Sequence, residues 1–188
     1  MSGLRIGVVG AGSMGADHAT TLHRHLSGAE VTLVADIDKE RAAVVAGTVP
    51  GARAVDDPYA AIADADVDAV VIASHDSTHA DLCVAALRAV KPVLCEKPLA
   101  PTLDECVRVV QEERRAGEGM ISLGFMRRFG HVHRPLCSRY GPFGAGAEVL
   151  GEFDRPRDDL VLRHDLVDRT VGECLPGRER LALKDGDQ

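Results

Sequence analysis

Along residues 1–129 the apolar positions cluster into short, largely apolar runs instead of alternating regularly with polar ones. Leu4–Val9, Val31–Ala35, Ala69–Ala73, Val93–Cys95 and Met120–Gly124 are such runs, with a weaker candidate at Ala52–Val55. A strand that is apolar at successive positions is one covered on both faces, as in a parallel sheet flanked by helices. Between the runs, residues 13–26, 38–47, 78–90 and 102–116 carry helical spacing. In the last of these, Val107 and Val110 fall on an inward face and Glu113 with Arg114 on a solvated one. Strand–helix–strand repetition at this rhythm predicts an α/β fold with a doubly wound parallel sheet. After Phe129 the rhythm stops. Glycine, proline and dense charge patches such as Asp154-Arg155-Pro156-Arg157-Asp158-Asp159 replace it. Short elements are expected there only at Leu160–Leu162 and Leu166–Val171. The expected organisation is therefore a folded domain over residues 1–129 and a short, irregular extension over 130–188.

Composition narrows the function classes. The chain has 188 residues with 22 basic and 29 acidic side chains, for a formal charge of −7. That balance argues against a nucleic-acid partner, which requires concentrated positive charge. No apolar run approaches the ~20 residues that cross a bilayer, so no membrane partner is expected. Met1-Ser2-Gly3-Leu4-Arg5 lacks a signal-peptide layout. Five cysteines, at 83, 95, 106, 137 and 174, include no C-x-x-C pair and read as reduced thiols of a cytoplasmic protein. His131 and His133 alternate as metal ligands can, but no third or fourth ligand accompanies them, and no metal is expected.

The chemistry begins at Gly10-Ala11-Gly12-Ser13-Met14-Gly15, a G-x-G-x-x-G that follows a strand and opens a helix. Gly10 permits the tight turn, Gly12 lets a pyrophosphate approach, and Gly15 lets helix and strand pack closely. The amides of the first helical turn, at Ser13 and Met14, then face the anion with the favourable end of the helix dipole. The second strand ends at Asp36, 21 residues after Gly15. A carboxylate there accepts hydrogen bonds from ribose hydroxyls and repels a 2′-phosphate. Ile37 follows it, with no adjacent arginine, so NAD is expected over NADP. The fold implied is a Rossmann sheet, and Asp38 is the expected cap of the helix that follows.

Three further stretches end predicted strands: Ser74-His75-Asp76-Ser77-Thr78-His79, Cys95-Glu96-Lys97-Pro98-Leu99-Ala100 and Gly124-Phe125-Met126-Arg127-Arg128-Phe129. With the glycine fingerprint, they resemble the glucose–fructose oxidoreductase / inositol dehydrogenase family of NAD(P)-dependent oxidoreductases, and within it the inositol 2-dehydrogenases. The resemblance covers residues 4 to 129. It implies oxidation of a cyclic polyol or sugar, most often myo-inositol, from secondary alcohol to ketone by hydride transfer to NAD. It implies that Lys97 relays the proton and that the Lys97–Pro98 bond is cis. It further implies cofactor contacts at Ser74, His79, Glu96 and Lys97, and a substrate contact at Arg127. Family members begin the first of these stretches with Pro-Asn where this chain has His75-Asp76. Independently of resemblance, lysine at a strand's carboxyl end can hydrogen-bond a substrate hydroxyl and stabilise the alkoxide that develops.

The same resemblance implies a second half that this chain does not match: a large sheet that walls the substrate pocket, forms oligomer contacts and supplies an aspartate with a histidine four residues on. Residues 130–188 contain no Asp-x-x-x-His. Asp159 and His164 come nearest, at a spacing of five. One residue of slip turns a helical side chain by about 100°. The expectation is a truncated or frame-shifted product, family-like to Phe129 and unlike it from Gly130. Two functional readings follow: an NAD-dependent polyol dehydrogenase, or a catalytically incomplete NAD-binding fragment of one. Sheet surface near Phe125 and Phe129 makes self-association a further expectation.

Overall fold

The computed structural model describes residues 3–117 and 119–125, together with the backbone of residues 182–183. Six strands form one fully parallel sheet: β1 (Leu4–Val9), β3 (Ala29–Ala35), β4 (Arg53–Val55), β5 (Ala69–Ile72), β6 (Val93–Cys95) and β7 (Ile121–Leu123). Their order is β4-β3-β1-β5-β6-β7. Chain direction across the sheet therefore reverses between β1 and β5. A crevice opens at such a point outside the carboxyl ends of the strands, where doubly wound folds take their ligands. Two short strands, β2 (Leu26–Ser27) and β8 (Ala182–Leu183), pair antiparallel outside this sheet.

The continuous apolar runs have a direct structural cause. Along β1, Leu4, Ile6 and Val8 point to one face and Val9 to the other, and both faces are packed. Helices α1 (Ser13–His25) and α2 (Lys39–Gly47) cover the first face through Ala19, Leu22, Val45 and Ala46. Helices α3 (Pro58–Ala63), α4 (Asp76–Arg88) and α5 (Leu103–Ala116) cover the second through Ile62, Leu82, Leu87 and Val109. The expected parallel α/β sheet is thus the observed one. The helices start where their sequences supply caps. Asp38 accepts from the Arg41 amide, Asp57 from Tyr59 ahead of Pro58, and Thr102 with Glu105 makes a capping box.

Three features depart from the sequence reading. The α3 helix was not expected, because six residues with two buried positions are too few for periodicity to register, although Asp57-Pro58 is a start signal. Glu113 is not on the solvated face of α5: it is buried, and its carboxylate accepts the Ile121 amide at 3.0 Å. Val109, not Val107 or Val110, is the fully buried valine of that helix. The elements expected at Leu160–Leu162 and Leu166–Val171, the boundary at 129, and His131, His133, Asp159 and His164 lie outside the described residues. Among the described residues, no helix is long and apolar enough to cross a membrane, and no group of three or more His, Cys, Asp or Glu could hold a metal ion. Cys83 and Cys95 are free and buried, and Cys106 is free and half-buried.

At the end of α4, Val90 adopts φ 56° with its side chain exposed. This left-handed conformation suits glycine and costs a branched L-residue roughly 1–2 kcal/mol. Val90→Gly is expected to raise stability by about 1 kcal/mol, seen as a rise of about 2–4 °C in Tm for a chain of this size. Thermal unfolding followed by circular dichroism measures it.

Candidate active site

The glycine turn sits at the carboxyl end of β1, beside the reversal point. Gly10 has φ 97°, and its amide donates to Ala35 O at 2.8 Å. A Cβ on Gly10 would lie 2.5 Å from the Ala73 carbonyl carbon and the Ser74 nitrogen, and one on Gly15 would overlap the Gly10 carbonyl oxygen. Gly12 differs from both, because a Cβ there meets nothing within 4 Å. The open space faces the first turn of α1, which has no side-chain cap and no acidic residue. Its free amides, at exposed Ser13 and half-buried Met14, form a site for an external anion.

Asp36 organises this turn from the neighbouring strand. It is 8% exposed; one carboxylate oxygen accepts the Ala11 amide at 2.7 Å and the other the Asp38 amide at 2.9 Å. Each oxygen retains a second lone pair. The expectation that no arginine stands beside Asp36 holds along the chain but not in space. One turn into α2, Arg41 comes back to within 3.8 Å of Asp36, with its other nitrogen on Asp38 at 3.1 Å. Helical geometry, not adjacency, puts it there.

Across the crevice lie the turns after β5, β6 and β7. His75 caps α4, and Ser74 Oγ is 2.8 Å from Thr78 Oγ1. His79 is 2% exposed, with Nδ1 2.7 Å from Pro98 O and Nε2 3.1 Å from Ser74 O. Both neighbours are pure acceptors, so two N–H donors, the imidazolium form, satisfy both. Burial alone would lower its pKa, but contact with Cys95 and the two carbonyls outweighs burial and raises it from 6.5 to about 9. The Cys95 thiol is itself pushed up by contact with Cys83 and by burial. His79 thus ties the turn after β5 to the one after β6. That second turn contains the cis Lys97–Pro98 bond the sequence led us to expect. Lys97 is exposed at this edge, whereas Glu96 before it is buried and its Oε1 lies 2.8 Å from His18 Nε2. Gly124 packs on the same carboxylate.

Gly10, Gly12, Ser13, Met14, Gly15, Asp36, Ser74, His79, Glu96 and Lys97 therefore gather at one sheet edge, drawn there from β1, β3, β5 and β6. Arg127 lies outside the described residues. His18 and Arg41 were missed. Their only sequence signal was position on a helix that opens at the site, and nothing local announces a partner 78 residues away.

A family model described as "Oxidoreductase family, NAD-binding Rossmann fold" matches residues 4–125. The chain belongs to this family. Its cofactor is NAD, and the open approach at Gly12, the uncapped amides of α1 and the acceptor at Asp36 fit a dinucleotide. Inositol 2-dehydrogenase 2 of Saccharopolyspora erythraea is 54% identical over 126 residues, 67% of this chain and 37% of that protein. Inositol 2-dehydrogenase of Acidothermus cellulolyticus is 48% identical over 178 residues, covering 87% of this chain and 52% of its own length, so this match runs past residue 129. Myo-inositol dehydrogenase from Lactobacillus casei, solved in complex with NAD(H) and myo-inositol, has a TM-score of 0.69 at 36% identity, over 74% of this chain and 41% of that one. The chain spans about half or less of the length of these relatives.

Two outcomes follow from the geometry. Gly15→Ala, with its methyl driven into the Gly10 carbonyl, is expected to cost about 2–3 kcal/mol in urea unfolding, as strain at a tightly packed backbone does. For His79, the folded pKa lies above the unfolded one, so its contribution is complete below pH 6.5 and disappears as pH rises through about 9. The stability difference between wild type and His79→Gln should accordingly be level below pH 6.5 and shrink between there and pH 9–10, measured by urea unfolding across that range.

Proposed function

We propose that this chain carries the NAD-binding half of a dehydrogenase that oxidises one secondary hydroxyl of a cyclic polyol, of the myo-inositol class, to a ketone. The observation that carries the reading is the convergence at one edge of the glycine turn, Asp36 and an exposed Lys97. The inositol dehydrogenases among its relatives support the substrate class. When bound, NAD supplies the hydride acceptor. The amides of Gly12, Ser13 and Met14 receive the diphosphate with the positive end of the α1 dipole. The remaining lone pairs of Asp36 accept from the adenosine ribose hydroxyls, and its negative charge disfavours a 2′-phosphate. Ser74, His79 and Glu96 shape the nicotinamide side, His79 by holding two turns together through their carbonyls.

Lys97 Nζ is the proton-handling group. It hydrogen-bonds the substrate hydroxyl and, as its ammonium form, stabilises the negative charge that grows on that oxygen. Arg127, three residues past Gly124, offers guanidinium donors suited to a ring of hydroxyls. In this reading residues 1–129 form the cofactor unit.

A second reading is NAD binding without turnover. Calorimetric titration with NAD and NADH formation from myo-inositol at alkaline pH separate the two. Binding with turnover supports the dehydrogenase, binding alone supports the second reading, and neither overturns both. Gly12→Ala is expected to keep wild-type stability and yet weaken NAD binding more than about tenfold, because its methyl enters the diphosphate's space and not the core. Lys97→Met should leave NAD affinity within about threefold and lower any turnover by about 10²-fold or more.

A further inference from the structure

A carboxylate 7% exposed requires a partner, and Glu96 has His18. The two belong to different parts of the site. His18 lies in the second turn of α1, the helix whose first-turn amides face the diphosphate. Glu96 is the residue before Lys97, and its own amide donates to Ile72 O at the end of β5. The carboxylate also packs on the backbone at the end of β7, where a Cβ at Gly124 would stand 2.8 Å from Oε1 and 3.1 Å from Oε2. His18 Nε2, at 2.8 Å, is thus a cross-link between α1 and the turn carrying Lys97. Among the described residues, His18 is the hydrogen-bond partner of the Glu96 side chain.

We infer that His18 is a positioning residue: its hydrogen bond to the Glu96 carboxylate sets the Glu96–Lys97–Pro98 turn at a fixed place relative to α1, aligning the nicotinamide end of the site with the diphosphate end. The inference rests on the cofactor reading above. It also explains why position 124 is glycine, since any side chain there would displace the carboxylate that His18 holds. Loss of the imidazole leaves a buried acceptor unpaired, and the turn relaxes around it.

The test compares two ligands on the same chain by calorimetry. NAD spans the whole crevice, whereas ADP-ribose lacks the nicotinamide that the Glu96–Lys97–Pro98 turn borders. His18→Ala is expected to weaken NAD about tenfold and ADP-ribose less than about twofold. His18→Gln, whose amide can donate to the same oxygen, should bring NAD back to within about threefold. A merely structural role would lower both affinities alike, and equal losses, unchanged NAD affinity or no recovery with glutamine overturns the inference. Should His18→Ala not fold, the His18→Ala/Glu96→Ala pair removes donor and acceptor together, and it must lose no more NAD affinity than Glu96→Ala alone. A larger loss also overturns it. Wild type that takes up neither ligand overturns the cofactor reading together with this one. Wild type that binds both, with His18 variants that keep the ratio, overturns this inference alone.

Discussion

One buried carboxylate sets the geometry of the cofactor edge. Asp36 accepts the Ala11 amide from the glycine turn and the Asp38 amide that opens α2, so two loops from adjacent strands are bound to a single anion. A carboxylate that is almost fully buried is costly unless both oxygens are satisfied. These backbone donors satisfy them and in return hold the turn rigid. With the turn fixed, Gly10 can lie against Ala73 and Ser74 across the reversal point, and Gly15 can close on the Gly10 carbonyl. The residue that selects the ribose in the proposed reading is then also the residue that builds the diphosphate cradle.

The opposite wall follows the same logic with other groups. His79 bridges the carbonyls of Ser74 and Pro98, and Glu96 is hydrogen-bonded to His18 and packs on Gly124. Each ties together segments at one edge of the parallel sheet, just past the last backbone bonds between strand ends, such as Glu96 N–H to Ile72 O. Short strands make such ties necessary: β6 and β7 have three residues each. Buried polar side chains, each with its partners in place, supply the rigidity that ladder hydrogen bonds cannot supply beyond the strand ends.

The rest of the fold serves to present that edge. Helices on both faces bury β1 and β5 almost completely, so among the described residues the polar groups concentrate in the turns past the strand ends. Lys97 is a cation left exposed beside its anchored neighbour Glu96. An exposed amine on a rigid turn is available to a substrate hydroxyl without having to move.

How much of this was legible along the chain depended on range. Largely apolar runs named β1, β3, β5, β6 and β7 because burial on both faces weakens alternation, Asp38 announced α2 through local capping, and helical spacing announced α5. The glycine spacing with Asp36 revealed the cofactor turn, since its physics is confined to a few consecutive residues. What failed was longer in reach or too short in extent. The six-residue α3 left no period, and Glu113 looked solvated until an amide eight residues later was seen to need its carboxylate. By itself, then, the sequence determined the strand–helix alternation, the parallel sheet and the dinucleotide turn, all of which rest on local sterics and periodic burial. Only the tertiary structure decided that Arg41 stands beside Asp36, that His79 has two carbonyl partners and that His18 meets Glu96. Those contacts depend on where separate strands end in space, which no local rule encodes.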